Sequence, residues 1–192
     1  MTSLKKNKII SVGIDTGSVN GAISVVDEEL KVLVLTKAPI YQTEIKSRRN
    51  KSKLNKETGK FEKDYRKRSW VDFRAVGELL EPYSKFKVIY TLEKATTRAM
   101  EGEASSFMNG NALGVFQGIS TLLHPIEYYE PLPITWKTDL GVTSEKSTSI
   151  SLAEDLYQIN LKDYLPRGKV DDIAEALLLA FYGLRQHFKG EK

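Results

Sequence analysis

The chain has no cysteine among its 192 residues and only two histidines. Disulfides, zinc–thiolate sites and thiol nucleophiles are therefore excluded, and two histidines are too few for most histidine-based metal or acid–base sites. No apolar run approaches the roughly 18 residues of a membrane-spanning helix. Met1 to Lys8 lead into a strand-like run rather than into the apolar stretch of a signal peptide. We therefore expect a cytoplasmic protein with no membrane partner.

Hydrophobic residues make up 41% of the chain, enough for one well-buried core at this length. Because a domain usually contains about 100 to 200 residues, we predict a single domain over residues 1–192. No internal repeat is present.

Positive charge is concentrated in one segment of the sequence. The total formal charge is only +4, but residues 46–68 hold eleven lysines and arginines against three acidic residues, a net charge of +8 that leaves −4 elsewhere. We predict a basic insertion at about residues 41–69 that contacts DNA phosphates, because each neutralised phosphate releases counterions. A solvated, partly disordered loop is the alternative. The candidate DNA-binding residues of this insertion are Arg48, Arg49, Lys51, Lys53, Arg66, Lys67 and Arg68.

Strand-like and helix-like patterns follow one another along the chain. We predict a three-stranded meander at residues 8–14, 21–26 and 31–36, and then, after the insertion, a helix at 70–80 with Ser69 as its N-cap. Further strands are predicted at 88–92 and 127–130, and further helices at 104–123, 146–157 and 171–187. The expected fold is α/β: a mixed five-stranded sheet, antiparallel meander plus parallel strands, flanked by helices.

Acidic residues stand where these elements end or begin. Asp15 ends the first strand, Glu93 follows the fourth, and the last helix opens with Asp171, Asp172 and Glu175. Sites on such sheets lie at the carboxyl ends of the strands, so we expect these carboxylates to meet at one edge. Asp172 and Asp171, three and four residues before Glu175, both share its helix face. Such a cluster is an oxygen-ligand site for divalent cations.

Each acidic residue also has an ordinary explanation. Asp15 could form a turn with Thr16 and Gly17, and Glu93 could be a surface charge paired with Lys94. Asp171 and Asp172 suit a helix start because anions there complement the helix dipole. The ordered combination of all of them favours the metal site.

Five motifs, in order and with suitable spacing, resemble the RuvC family of Holliday-junction resolvases, particularly its bacteriophage members. They are GIDTG at 13–17, LE at 92–93, PITWK at 133–137, KS at 146–147 and DDIAEALLLA at 171–180. The resemblance implies a ribonuclease-H-like fold, a homodimer, and an endodeoxyribonuclease of DNA recombination and repair that cleaves four-way junctions. It also implies two magnesium ions per active site, with manganese as the alternative, and the cytoplasm of a bacterial host for a phage-encoded chain.

The resemblance assigns roles by position. Asp15, Glu93 and Glu175 match the family's metal-binding carboxylates, and Asp172 matches the position three residues before the last of them. Asp171 is the competing candidate for that position. Lys137 and Lys146 match basic positions that contact DNA, although each could simply be an exposed lysine. We expect Trp136, between these motifs, to be a core residue.

The chain departs from the family in the loop after Glu93. The family commonly carries an aromatic residue there that probes the junction centre, but residues 94–100 contain none. Met100 could serve instead as an apolar wedge. The basic insertion is also longer than a minimal core needs. The substrate could therefore extend to other branched or flapped DNA.

Gly110, Gly114 and Gly118 give one predicted helix a thin face, which we expect to pack on its own sheet, with a homodimer contact as the alternative. Three other functions remain open. The first motif also resembles the phosphate loop of actin-like ATPases, but no second such loop is present, so we expect no nucleotide cofactor. The others are a ribonuclease acting on RNA–DNA hybrids and a non-catalytic DNA-binding recombination module.

Overall fold

The computed structural model describes residues 8–17, 19, 21–46, 53–54, 61–62, 65–94 and 102–190. The strands are β1 (Ile9–Asp15), β2 (Ala22–Asp27), β3 (Val32–Lys37), β4 (Ile40–Lys46), β5 (Lys53–Leu54), β6 (Phe61–Glu62), β7 (Tyr65–Val71), β8 (Lys87–Leu92) and β9 (Glu127–Tyr129). The helices are α1 (Phe73–Leu80), α2 (Glu103–Leu123), α3 (Pro133–Leu140), α4 (Lys146–Tyr157), α5 (Leu161–Tyr164) and α6 (Asp171–Gly190). Within these ranges every helix is too short or too polar to cross a membrane.

Five strands form the central sheet, in the order β3-β2-β1-β8-β9. β1 pairs antiparallel with β2, and β2 with β3, as the predicted meander requires. β8 lies parallel to β1, and β9 lies parallel to β8. The predicted mixed five-stranded sheet flanked by helices is therefore confirmed.

Alternation along β1 gives the sheet two different faces. Ile10, Val12 and Ile14 belong to the core that α1 and α2 cover. The residues between them are small or polar, and they face α6 on the opposite side. Asp15 continues the second set, so the strand period itself directs its carboxylate toward α6.

Helix α6 lies close against the sheet because the side chains beneath it are short. Ser11 Oγ donates to the carbonyl oxygen of Ala180 at 2.8 Å. Ser24 Oγ, on β2, donates to the carbonyl oxygen of Ala176, also at 2.8 Å. Both serine hydroxyls are buried, and these bonds satisfy them. The first turns of α6 are thereby held over the carboxyl end of β1.

Part of the predicted basic insertion forms a β-hairpin. β4 pairs antiparallel with β7, from Ile40 opposite Val71 to Lys46 opposite Tyr65, and β5 pairs with β6. This pairing overturns the prediction that Ser69 caps a helix from residue 70. Ser69 lies within β7, and the cap is Asp72, whose Oδ1 accepts from the backbone N–H groups of Arg74 and Ala75 at 3.1 and 3.2 Å.

Two helices were not predicted from the sequence, α3 and α5. α3 begins at a proline, which the first helical position tolerates because its missing N–H would have no partner there. It ends at Gly141, whose left-handed φ of 72° suits a glycine. α3 is the element that carries Trp136 and Lys137 toward the sheet edge.

The packing predicted for the thin face of α2 is wrong. A Cβ added at Gly110, Gly114 or Gly118 would meet nothing within 4 Å among the described residues. The face that packs on the sheet is formed by Ala112, Phe116, Ile119 and Leu123. The glycines therefore leave an exposed groove along the outer side of the helix.

Candidate active site

Asp15 is the buried last residue of β1. Its strand partner is Ala22, and in the parallel direction Ile14 lies beside Leu92 of β8. The turn-forming explanation of Asp15 therefore does not hold, because the residue belongs to the strand and points to the face covered by α6.

Glu93 directly follows β8 and its backbone is held from both sides. Its N–H donates to the carbonyl oxygen of Ile14 at 2.9 Å, which extends the pairing with β1 by one residue. Its carbonyl oxygen accepts from Thr16 Oγ1 at 3.1 Å. The side-chain Oε1 accepts from the indole Nε1–H of Trp136 at 2.9 Å. These contacts fix Glu93 beside Asp15.

Glu175 reaches the same place from α6. Its Oε1 accepts from Lys137 Nζ at 2.7 Å, and Ser149 Oγ lies 3.4 Å from the same oxygen. Asp15, Glu93 and Glu175 each offer one oxygen, and the three oxygens lie within 4.8 Å of one another. The structure thus brings together three of the five carboxylates that the sequence proposed for this edge.

Negative charge at the cluster is only partly compensated. Burial, followed by the charges of Glu93, Glu175 and Asp172, raises the pKa of Asp15 well above its ordinary value, although Lys37 opposes this. Burial also raises the pKa of Glu93, against the hydrogen bond from Trp136. A divalent cation would relieve this repulsion, and converging carboxylate oxygens are the ligands that Mg²⁺ and Mn²⁺ prefer. The residues present therefore fit the metal that the sequence implies.

Asp171 and Asp172 lie outside the converging set of described carboxylates. Asp172 is ion-paired with Lys37, and Asp171 with Lys146. Burial alone would raise the pKa of Asp171, but the ion pair with Lys146 lowers it. The charge of Asp172 still acts on Asp15, so this carboxylate lies near the cluster. Which of the two is a ligand stays a prediction.

Three lysines surround the acidic groups, and one of them was missed by the sequence reasoning. Lys137 and Lys146 were expected there, whereas Lys37, at the end of β3, was not. The signal lies in the strand register, because Asp15 pairs with Ala22 and Ala22 pairs with Lys37 in one row across the sheet. Such a row is visible only after the register of the meander is known.

Two of the predicted DNA-binding residues lie on the hairpin formed by β4 and β7. Lys67 and Arg68 lie on β7, with Arg68 opposite Thr43 and Trp70 opposite Tyr41. Directly opposed residues share a face, so an arginine and two aromatic rings line one side of the hairpin. For Lys53 and Arg66 the structure describes the backbone alone. Arg48, Arg49, Lys51 and the proposed wedge Met100 lie outside the described residues.

No protein-family model matches the sequence, and no curated protein matches it either. In structure the chain is similar to RuvC of T. thermophilus in complex with a Holliday junction substrate, with a TM-score of 0.58 and 16% identity over 94% of this chain and 96% of that chain. A second Thermus thermophilus RuvC structure gives a TM-score of 0.55 and 14% identity over the same shares, 94% and 96%. The yeast mitochondrial Holliday junction resolvase Ydc2 gives 0.48 and 15% identity over 98% of this chain and 85% of that chain.

The two RuvC likenesses show that the chain has the RuvC fold. The predicted ribonuclease-H-like fold is therefore confirmed, and the sequence resemblance to RuvC holds at the level of the fold. That the chain is of the bacteriophage type stays a prediction.

Proposed function

We propose that the chain is a metal-dependent, structure-selective endodeoxyribonuclease that cleaves four-way or other branched DNA junctions. The observation that carries the proposal is the convergence of oxygens from Asp15, Glu93 and Glu175 within 4.8 Å. Their position at the carboxyl edge of a RuvC-type sheet supports it, since one of the similar structures is described with a Holliday junction substrate.

Asp15, Glu93 and Glu175 would hold the cations, with Asp172 as the fourth ligand in preference to Asp171. When bound, two Mg²⁺ or Mn²⁺ ions supply an activated water and stabilise the leaving oxygen of the phosphodiester. The chain's own part is to hold the carboxylates in place. Glu93 is fixed through Ile14, Thr16 and Trp136, and Glu175 is fixed by α6.

Lysines beside the cluster would bind the phosphate that is cut. Lys137 is ion-paired with Glu175, and Lys146, with 67% of its side chain exposed, is ion-paired with Asp171. A cation bound at Glu175 would free the ammonium group of Lys137 for an incoming phosphate, and the exposed Lys146 could turn from Asp171 to the same phosphate. Lys146 is also the first residue of α4, where a bound anion complements the helix dipole.

The hairpin of β4 and β7 would grip the DNA outside the cut site. Residues 46–68, which include part of the hairpin, carry a net charge of +8 against −4 for the rest of the chain, and Arg68 shares a face of the hairpin with Tyr41 and Trp70. Cations contact the backbone, and the ring of Tyr41, which is 45% exposed, would stack with a base that a branch leaves unpaired. The grip and the chemistry would therefore be supplied by different residues.

A homodimer would suit this function. A four-way junction presents two equivalent strands for cutting, and a twofold enzyme places one active site on each. The exposed glycine face of α2 offers a surface on which two copies of the helix could approach closely. We propose this face as the dimer contact.

The test is cleavage of a labelled synthetic four-way DNA junction in Mg²⁺, with duplex DNA and an RNA–DNA hybrid as substrate controls. Wild type is compared with Asp15→Asn, and with Asp155→Asn as a matched control, because Asp155 is an exposed carboxylate on α4. Paired symmetrical nicks that Asp15→Asn alone removes are the expected result. Nicking that Asp15→Asn leaves unchanged would place the chemistry elsewhere.

Two other outcomes would reassign the chain. Preferential cleavage of the hybrid would make it a ribonuclease. Junction binding without nicks, in Mg²⁺ and in Mn²⁺, would make it a non-catalytic DNA-binding recombination module.

A further inference from the structure

Trp136 is one of only two tryptophans in the chain and is fully buried, at 0% exposure. Its ring packs in the core that includes Ala174 and Leu177 of α6. A buried indole N–H needs an acceptor, and a backbone carbonyl usually provides it. Here the acceptor is Oε1 of Glu93, at 2.9 Å, a carboxylate of the candidate metal site.

We propose that Trp136 is a positioning residue that holds the Glu93 carboxylate in the orientation needed to bind a divalent cation. The inference rests on the proposed metal-dependent nuclease and adds to it a residue outside the carboxylate set. It also gives the tryptophan of the PITWK motif a role beyond core packing.

The geometry holds Glu93 at both ends. The backbone is fixed by Ile14 and Thr16, and the indole fixes the far end of a side chain that otherwise has several rotatable bonds. An ionised carboxylate has about four acceptor positions, so one N–H on Oε1 leaves capacity for a cation. Groups that orient metal ligands in this way commonly change metal affinity about 10–100-fold when they are removed.

Trp136 and Lys137 bind different carboxylates of the cluster. Adjacent residues of a helix point in different directions, and here they reach two different carboxylates, Glu93 and Glu175. Lys137 Nζ also lies 5.1 Å from the centre of the Trp136 ring. The ammonium group competes with a cation for Glu175, whereas the neutral indole does not repel one. The bond from Trp136 to Glu93 can therefore persist when the site is loaded.

The first experiment uses intrinsic fluorescence without DNA. Trp70→Phe leaves Trp136 as the sole tryptophan, because the chain has two. A cation bound by Glu93 changes the charge beside the indole while the hydrogen bond persists, so titration with Mg²⁺ should change the Trp136 emission saturably. Asp15→Asn in the same background should weaken that response. An emission that stays constant, while calorimetry records Mg²⁺ binding that depends on Asp15, would overturn the inference.

The second experiment removes only the donor. Trp136→Phe keeps an aromatic ring and loses the N–H, so Mg²⁺ affinity measured by calorimetry should fall about 10–100-fold. Tyr157→Phe is the matched control, since the Tyr157 hydroxyl makes one buried hydrogen bond, 3.0 Å to the Leu177 carbonyl, in the same core. That variant should lose some thermal stability but keep wild-type Mg²⁺ affinity. For junction cleavage, Trp136→Phe should lower kcat and leave KM unchanged.

These outcomes distinguish the role of Trp136 from the proposed nuclease function. A folded Trp136→Phe variant with wild-type Mg²⁺ affinity would reduce Trp136 to a core residue and leave the proposed nuclease intact. A wild-type protein that binds no Mg²⁺ would overturn the proposed function together with this inference. A Trp136→Phe variant that does not fold would leave the decision to the single-tryptophan titration.

Discussion

Gly13 and Ala176 are in backbone contact where β1 meets α6. A Cβ built on Gly13 would lie 2.1 Å from the carbonyl oxygen of Ala176 and 2.4 Å from the backbone nitrogen of Ala180. Only a residue without a side chain fits between the strand and the helix at this point. Asp15 lies two residues beyond Gly13, and Glu175 immediately precedes Ala176, so this contact sets the approach of the two carboxylates.

Gly13→Ala should therefore destabilise the protein and separate the carboxylates. A methyl group against rigid backbone forces the strand and helix apart, and overpacking of this kind costs at least about 1–3 kcal/mol. Urea unfolding measures the loss. Gly110→Ala is the control, since an added methyl there meets nothing within 4 Å and should stabilise α2 by up to about 1 kcal/mol. Equal stability of Gly13→Ala and wild type would contradict the close contact.

Asp15→Asn should stabilise the protein in the absence of metal. Burial and neighbouring carboxylates raise the pKa of Asp15 well above its ordinary value, so ionising Asp15 costs folding free energy. That cost appears as the pH rises above about 4, the pKa of an unperturbed aspartate. In a chelator at pH 8 the variant should melt at a higher temperature than wild type, and the difference should shrink as the pH falls toward 4.

Bound Mg²⁺ should reverse the order of the two melting temperatures, so that wild type melts above Asp15→Asn. Mg²⁺ binds the folded carboxylate cluster and not the unfolded chain, so it should raise the Tm of wild type and leave that of Asp15→Asn almost unchanged. Thermal melts with chelator and with Mg²⁺ check both statements. An Asp15→Asn variant that melts below wild type in chelator at pH 8 would show that the metal-free cluster is not under electrostatic repulsion.

Glu93→Gln should abolish cleavage and leave junction binding intact. Glutamine keeps an oxygen that can accept from Trp136, so the local structure should persist, but the charge that would hold a cation is lost. Loss of a metal ligand removes several kcal/mol of transition-state stabilisation, which corresponds to at least about a 100-fold slower reaction. Single-turnover cleavage and gel-shift binding measure the two effects separately, with Asp155→Asn as control. Loss of both activities in a folded variant would mean that DNA binding and cleavage depend on the same residues.

The three converging carboxylates could be predicted because their signals are local. The alternation of side chains in β1 directs Asp15 to the face of the sheet that α6 covers, and the alternation in β8 directs Glu93 to the same face. Glu175 lies one turn into a helix that starts with acidic residues. Parallel pairing of β1 with β8 then brings the first two together. Each step depends on a strand or helix period that can be read directly from the sequence.

What could not be predicted depends on pairing between distant segments. Ser69 and Asp72 are both good N-caps, and only the opposition of Trp70 to Tyr41 in the hairpin shows that residue 70 is extended. Lys37 reaches the site through the register of three strands. The hydrogen bond from Trp136 to Glu93 requires α3, a helix that was not predicted because Pro131 and Pro133 indicate the end of a strand rather than the start of a helix.

Neutralising cations of the hairpin should weaken DNA binding and flatten its salt dependence. Each phosphate contact contributes about 0.9 to the slope of log K against log salt, so Lys67→Ala with Arg68→Ala should reduce the slope by up to about 2. The matched control is Lys85→Ala with Lys87→Ala, because Lys87 is the first residue of β8 and Lys85 lies two residues before it, at the opposite end of the strand from Glu93. Binding to a labelled junction at several salt concentrations gives the slopes. If both pairs gave the wild-type slope, the hairpin would not lie in the interface.

Gly114→Leu should convert a dimer into a monomer without loss of fold. Gly114 lies at the middle of the exposed glycine face, and an added Cβ there meets nothing within 4 Å among the described residues. Because Gly114 is exposed, a leucine there should extend into solvent in the isolated chain, and it favours the helix by about 0.8–1 kcal/mol over glycine. Only a second copy lying close against this face would be displaced by the larger side chain.

Sedimentation velocity distinguishes the two states, and Gly114→Ala is the control because a methyl group adds helix propensity with little bulk. The expected result is a dimer for wild type and for Gly114→Ala, and a stable monomer for Gly114→Leu. Because paired nicks need two active sites on one junction, the monomer should cut single strands without symmetry. A Gly114→Leu protein that remains dimeric would place the contact on another surface, since a leucine at the centre of a close helix crossing cannot be accommodated without separating the two backbones.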